Sequence, residues 1–498
     1  MLCCNNYTMP GKTKNFYITT SIPYTNAAPH IGFALEAVQA DVIARHNRIQ
    51  GKDVFFLTGT DEHGIKTARA ARAVGKEPKD FADEISERFR LLAKALNISN
   101  DGFIRTTDEQ KHRPTIEKIW EIFVSKGDIY KKKYRGFYCA GCEAFITEKD
   151  LIDGKCPIHQ KELEVVEEEN YFFKLSKYGT QIKEAIESGE LKISPESRKN
   201  ETLSIIDQGL EDVSFSRTKD KYWGFEVPGD PEQVIYVWCD ALPNYISGIG
   251  YADNSKEFKK YWPADVHCLG KDIMRFHTIF WPAMLLSLGL ELPREIFVHG
   301  FITVDNKKMS KSLGNVIDPF ELVNKYGVDA VRYYLLREIS PTDDGDFTYT
   351  KFEERYNADL AGGIGNLLAR VITLAEKIDF SGIREISPDF KKEILKTREE
   401  CKRLLDEFKF NEALRVIWDL AGFCDKYVDQ EKPWESKDPA VIYNLLVCIS
   451  HISQLLEPFL PETSEKMFGQ LGVDHLDKKF IKFKIKKGES LFKKIQTL

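Results

Sequence analysis

The chain has no run of apolar residues approaching the length of a membrane span, and its first fifteen residues, MLCCNNYTMPGKTKN, lack the apolar core of a secretory leader. Charge of one sign is not in excess: 71 Lys and Arg stand against 77 Asp and Glu, a formal net charge of −6. That excludes a uniformly basic nucleic-acid binder, though not a local basic face, because phosphate contacts depend on local charge. Ten cysteines in 498 residues are too few for a disulfide scaffold, and three of them gather near one histidine. Internal repeats and low-complexity tracts are missing too. These absences predict a cytoplasmic protein with no membrane partner, starting at Met1 or Met9. The length exceeds what one core fills and predicts roughly two to four domains.

What is there begins with FYITTSIPYTNAAPHIGF at residues 16–33. Phe16, Tyr17, Ile18 and Thr19 read as a buried strand. A loop rich in Pro, Asn and Ala follows, then Leu35, Val38 and Val42 recur at helical spacing. Strand, loop and helix in that order aim first-turn N–H groups outward from the carboxyl edge of a parallel sheet, where open α/β folds bind nucleotides. His30 stands at this turn as a donor for phosphate oxygen, and Gly32 leaves room for a flat base or ribose. Val54 to Leu57 form a second apolar strand, ending in Thr58-Gly59-Thr60-Asp61-Glu62-His63-Gly64. Small and acidic residues there suit an α-ammonium and a ribose.

Tyr138-Cys139-Ala140-Gly141-Cys142 is followed by Cys156-Pro157-Ile158-His159, with thirteen residues between Cys142 and Cys156. Two pairs with two-residue gaps suit a tetrahedral Zn²⁺ site of three thiolates and one imidazole, Cys139, Cys142, Cys156 and His159. Four protein ligands leave no open position, so one structural zinc is expected. Further on, Ile235-Tyr236-Val237-Trp238, Val266 to Leu269 and Ile296 to Val298 read as strands. Lys308-Met309-Ser310-Lys311-Ser312 then follows a turn at Asp305-Asn306.

Pro29-His30-Ile31-Gly32 together with Lys308 to Ser312 resembles the two signatures of class I aminoacyl-tRNA synthetases. The sequence between them is similar to the methionyl-tRNA synthetases over nearly the whole chain. The resemblance implies an α/β fold: a split, doubly wound, Rossmann-like parallel-sheet catalytic domain with an inserted zinc-knuckle connective domain, followed by an all-α helical bundle that binds the anticodon. The boundaries are residues 1–119 and 234–340 for the catalytic halves, 120–233 for the insertion, 341–358 for a bridging region at the tRNA stem, 359–477 for the bundle and 478–498 for a basic tail. An insertion of this length, partly spent on a zinc knuckle, leaves no room for the editing domain of the leucine, isoleucine and valine enzymes.

The same resemblance implies ATP-dependent activation of L-methionine and its transfer to the 3′ end of tRNA(Met), initiator tRNA included. It assigns catalysis to His30, Lys308 and Lys311, with ATP and its Mg²⁺ held near Pro29, His30, Gly32, Phe33, Glu36, Gly270, Asp272, His299, Gly300, Lys308, Ser310 and Lys311. Methionine falls to Ser21, Ile22, Tyr24, Asp61 (its amino group), Trp238, Ala241, Leu242, Tyr245, Ile273 and His277. A thioether suits aromatic walls, and its sulfur accepts only a weak hydrogen bond, here from Tyr24 or His277. Phe33 departs from the family's first motif, which usually ends in a second histidine; with His30 and Gly32 intact it reads as a tolerated variant.

After Pro341 apolar spacing turns helical, with Leu414, Ile417, Ala421 and Cys424 on one face of a bundle. The resemblance places Asn366, Arg370 and Trp434 on the CAU anticodon, a mode in which splayed bases stack on rings and bond to Asn and Arg. The tail from Lys478 to Lys487 alternates basic and apolar residues and is expected to pack back on the body. No dimer-forming module follows it, which implies a monomer. Three other readings stay open: a second editing-less class I synthetase such as that for cysteine, a nucleotidylyltransferase with the same first motif, and a non-catalytic tRNA-binding paralogue.

Overall fold

The computed structural model describes residues 14–139, 144–146, 151–156, 160, 162–220, 222–309, 314–380, 382–383, 385–473 and 482–496. Six parallel strands form the central sheet: β1 (Asn15–Thr20), β2 (Asp53–Thr60), β3 (Gly102–Arg105), β4 (Lys192–Ser194), β5 (Val266–Gly270) and β6 (Glu295–His299), in the order β3-β2-β1-β5-β6-β4. Five of the six β1 residues are buried, because helices cover both faces of the sheet. The chain leaves β1 toward β2 on one side and leaves β5 toward β6 on the other. The crevice outside the carboxyl ends of β1 and β5 is therefore the topological switch point.

Helix α1 (Ile31–Ile49) follows β1 and starts ahead of Leu35, where the apolar spacing begins, because the His30 side chain caps it. Between β3 and β5 lies an antiparallel sheet built on the paired strands Ile129–Cys139 and Glu164–Phe173. The stretch 120–233 is not spatially separate throughout, since β4 lies within it and closes the edge of the central sheet against β6. One expected strand is corrected. The strand Asp230–Ile235 ends at Ile235 and pairs antiparallel outside the central sheet, and Val237–Ala241 is helical. Trp238, Ala241, Leu242 and Tyr245 stand at helical spacing, a pattern that a short apolar run conceals.

The turn at Asp305 and Asn306 is a tight hairpin, with both residues at positive φ (51° and 58°), joining the strands Ile302–Val304 and Lys307–Lys308. Cys142 and His159 of the expected zinc set, and Ser310, Lys311 and Ser312, lie outside the described residues, as does the side chain of Lys308. The boundary expected at 358 falls inside one continuous helix, Tyr349–Ala375, with a π-helical stretch at Tyr356–Gly365.

Helices Pro388–Asp406, Phe410–Glu431, Pro439–Leu456 and Pro461–Leu471 complete the bundle. Its apolar face continues the sheet's core: Phe297 of β6 stacks on Phe408 at 4.5 Å between centroids. Tyr349–Ala375 and Pro439–Leu456 are long and apolar enough to cross a membrane, which corrects the expectation that no run reaches that length. The most apolar stretch of Pro439–Leu456 is 72% buried inside the protein, the position of a core helix. The tail packs as expected where it is described, with Phe483 against Phe380 and Tyr443 and the Lys484 N–H donating to Leu471 O.

One buried cation ties these layers together. Arg332, on the helix Val328–Arg337, is fully buried. It pairs with Asp41 of α1 at 2.7 Å and donates to the carbonyls of Leu96, Pro458 and Phe459. Burial opposes charge on Asp41, but Arg332, Arg45 and Ser99 outweigh it and hold its carboxyl below the usual range. Arg332→Met leaves Asp41 buried without its main partner and is expected to cost about 3–5 kcal/mol in urea denaturation. A loss below about 1 kcal/mol would show that the network is not under strain from desolvation.

Candidate active site

A cavity of about 910 Å³ opens at the switch point, and every residue assigned above to the amino acid or the nucleotide lines it, among those whose side chains are described. The first wall is the turn into α1. The His30 ring folds back over the helix start, its Nδ1 accepting the Gly32 N–H at 3.1 Å. A Cβ on Gly32 would lie 2.9 Å from His30 Cε1, so only glycine lets the ring take this place. The same Cβ would stand 3.7 Å from Met309 Cε, which brings the start of the second motif over the first. Phe33 packs edge-to-face on Phe89, 5.0 Å between centroids, and both rings line the cavity.

Glu36 sits one turn further along α1 and is buried. One carboxylate oxygen accepts from both the N–H and the Oγ of Ser21 at 2.7 Å, and the other lies 2.9 Å from His299 Nε2. His299 Nδ1 faces the Gly300 carbonyl at 2.7 Å. Burial disfavours charge on this imidazole, but the Glu36 carboxylate and the Gly300 carbonyl outweigh it and raise its pKa. Glu36 and His299 thus hold the wall together. Gly300 is a second obligatory glycine, since a Cβ there would lie 2.2 Å from Asp343 O.

The opposite end of the cavity is aromatic. Trp238 stacks on Phe276 at 3.7 Å, and its buried indole N–H has no hydrogen-bond partner among the described residues, an open donor on the wall. Tyr24 meets Trp238 edge-on at 6.2 Å. Asp61 is buried on the far side, its N–H donating to Pro23 O and its carbonyl accepting from Thr25 N. His277 lies on the π-helical stretch Phe276–Phe280. Its Nδ1 faces Ile273 O at 2.9 Å and must donate, so Nε2 accepts from the Tyr245 hydroxyl at 2.7 Å. Neither nitrogen has a proton left for a thioether, which corrects the expectation that His277 donates to the sulfur. Its role is to fix Tyr245.

Lys66 and Arg275 also line the cavity and were not anticipated. Lys66 lies 4.0 Å over the Tyr24 ring. Its only local signal is its place on the first turn of the helix after Asp61. In the bundle, Asn366 and Arg370 stand one turn apart on one helix. Arg370 pairs with Asp425 and Asp429, and Trp434, just beyond the helix that carries them, is 48% exposed, which leaves about half of its surface open to a partner.

Residues 16–164 and 148–372 match the family model described as tRNA synthetases class I (M), and residues 389–495 match the anticodon-binding domain of tRNA ligase. The chain is 46% identical to the methionine–tRNA ligase of Caldanaerobacter subterraneus, covering 97% of this chain and 79% of that one. It is 44% identical to that of Thermotoga maritima, covering 97% and 80%. It is similar to the solved structure of Mycobacterium tuberculosis methionyl-tRNA synthetase in complex with methionyl-adenylate, with a TM-score of 0.88, 40% identity and coverage of 92% and 94%.

Burial lowers the His277 pKa from 6.5 to about 4. The unfolded chain then binds the extra proton as pH falls from 6.5 toward 4, so this group is expected to remove about 3 kcal/mol of stability across that window. Long-range imidazole NMR should show a neutral, Nδ1-protonated His277 at pH 6; an imidazolium there would refute the assignment.

Proposed function

The chain belongs to the methionyl-tRNA synthetases of class I and is a methionine–tRNA ligase, and from that premise we propose how its residues divide the reaction. The observation that carries the division is one cavity lined both by the His30–Gly32 turn under Met309 and by the aromatic end with Asp61. L-Methionine lies with its ammonium at Asp61 and its thioether among Trp238, Tyr24, Tyr245 and Leu242. ATP lies along α1 and the loops of Gly270, Asp272 and Gly300.

One carboxylate oxygen of methionine attacks the α-phosphorus, the bond to the bridging oxygen breaks, and pyrophosphate leaves; Mg²⁺ bound with ATP would offset charge on that leaving group. The carboxylate is already a nucleophile, so no general base is required. The work is positioning and stabilisation of charge on the phosphate. His30, Lys308 and Lys311 supply that stabilisation, about 2–4 kcal/mol each. In the second step a hydroxyl of the 3′-terminal ribose of tRNA(Met), initiator or elongator, attacks the carbonyl carbon and AMP leaves. Asn366, Arg370 and the exposed Trp434 meet the anticodon. The enzyme acts as a cytoplasmic monomer.

A structural Zn²⁺ would be held by Cys139, Cys142, Cys156 and His159. In support, Cys139 ends a strand, and both it and Cys156 are buried. The metal would supply a crosslink and take no part in catalysis. Elemental analysis is expected to find one zinc per chain, lost in Cys156→Ser; a zinc-free protein that melts at the same temperature would overturn the site.

The reaction assignment is tested by ATP–pyrophosphate exchange with methionine, cysteine, leucine and isoleucine each supplied alone. Exchange is expected with methionine only, falling about 10²–10³-fold in His30→Ala and Lys311→Ala. Exchange with cysteine instead would overturn the pocket, and unchanged rates in both variants would overturn the catalytic roles.

A further inference from the structure

Asp240 is 1% exposed and is not among the residues lining the cavity. Its carboxylate is shared by two imidazoles that come from the first half of the fold. His63 Nδ1 lies 2.8 Å from Oδ2. His112 Nε2 lies 2.9 Å from the Asp240 backbone carbonyl and 3.3 Å from Oδ1. A carbonyl and an ionised carboxylate only accept, so both nitrogens carry protons toward Asp240. Burial would raise the Asp240 pKa, but the two histidines outweigh it and keep the carboxyl below its usual range. His112 is fixed in turn by Ser247, its Nδ1 lying 2.8 Å from Oγ.

The placement of this cluster gives it consequence. His63 is two residues beyond Asp61, and its ring is wedged edge-on against Trp223 and Phe225 at 4.9 and 4.7 Å. Asp240 lies on the helix Val237–Ala241, between Trp238 and Ala241. The buried carboxylate therefore spans the two walls that face the ammonium and the side chain of the amino acid. A fully buried charge is a costly way to join a loop to a helix that apolar contacts could join, and the best-attested reason for retaining one is register.

We propose that Asp240 is a positioning residue: clamped by His63 and His112, it sets the span from Asp61 to the helix carrying Trp238, Ala241 and Leu242, and so the length of side chain the pocket accepts. This rests on the reading that those residues hold methionine.

The test uses the full-length enzyme in methionine-dependent exchange. Asp240→Asn offers one acceptor where two N–H groups converge. It is expected to raise the methionine KM about tenfold, hold the ATP KM within about twofold, and lower the preference for methionine over ethionine at least about threefold. His63→Gln should shift the same two quantities and add little in the double variant, since the two act through one contact. An unchanged methionine KM and preference in folded Asp240→Asn would overturn the proposal. A fall in kcat that tracks melting temperature with both KM values unmoved would also overturn it, leaving a merely structural support. Should Asp240→Asn fail to fold, His63→Gln decides by the same two readouts. Asp61→Asn tests the pocket reading separately, because an unchanged methionine KM there would remove that reading whatever Asp240 does.

Discussion

The guanidinium of Arg332 is the point on which the layers of this protein converge. It is buried without solvent contact, and its donors reach Asp41 of α1, the end of the helix before β3 and the two carbonyls that close Pro439–Leu456. A flat fork of donors can satisfy a carboxylate and several carbonyls at once, which the compact ammonium of lysine cannot. Such a network contributes little net stability over a well-packed apolar alternative, because desolvating both ions is so costly. What it does is forbid other arrangements, since sliding α1 against the bundle would strand a charge. α1 carries His30 at its cap and Glu36 on its second turn, so the same constraint holds that wall of the cavity at a set distance from the anticodon-binding helices.

From α1 the constraint passes into the site through Glu36, which joins the end of β1 to the end of β6 by way of Ser21 and His299. The two catalytic halves of the sequence meet at that contact. A polar cluster of this kind is rigid only when fully satisfied. Here each carboxylate oxygen and each imidazole nitrogen of the pair has a partner. The resemblance placed Glu36 and His299 at ATP, and both line that wall, yet their polar atoms point into the structure and hold it. Among the described residues, the Trp238 indole N–H stands on the same cavity wall without a hydrogen-bond partner, and His30, Lys66 and Arg275 also line the cavity.

Much of this was legible in the sequence, and the pattern of what was not has a physical cause. Fully buried parallel strands announce themselves as short aromatic and β-branched runs, and β1, β2, β5 and β6 stand where such runs occur. The stripe of Leu414, Ile417, Ala421 and Cys424 is buried as its period requires. Short apolar runs carry no period, so the segment at Trp238 read as a strand although it is helical. Ionic partners carry no local signal at all: Glu36 lies 263 residues from His299, and Asp240 lies 177 from His63. Motifs marked surfaces that line the cavity, and the contacts that hold those surfaces in register appeared only with the fold.

The state of His277 bears on how such a pocket can choose its amino acid. With Nδ1–H committed to Ile273 and Nε2 committed to Tyr245, the imidazole offers a ligand in the cavity an edge and no proton. Of the two donors expected for the sulfur, His277 is thereby removed. In the proposed placement of methionine the sulfur is met mainly by polarizable rings, which favour methionine over branched side chains by shape and dispersion. Recognition of that kind is weak against analogues of nearly the same length: one methylene is worth roughly 10–200-fold. A site that demanded a hydrogen bond would reject such an analogue far more strongly, because the protein's own polar atom would be left unpaired. Discrimination between close analogues must therefore come from how rigidly the two walls are spaced, or from a step that follows activation.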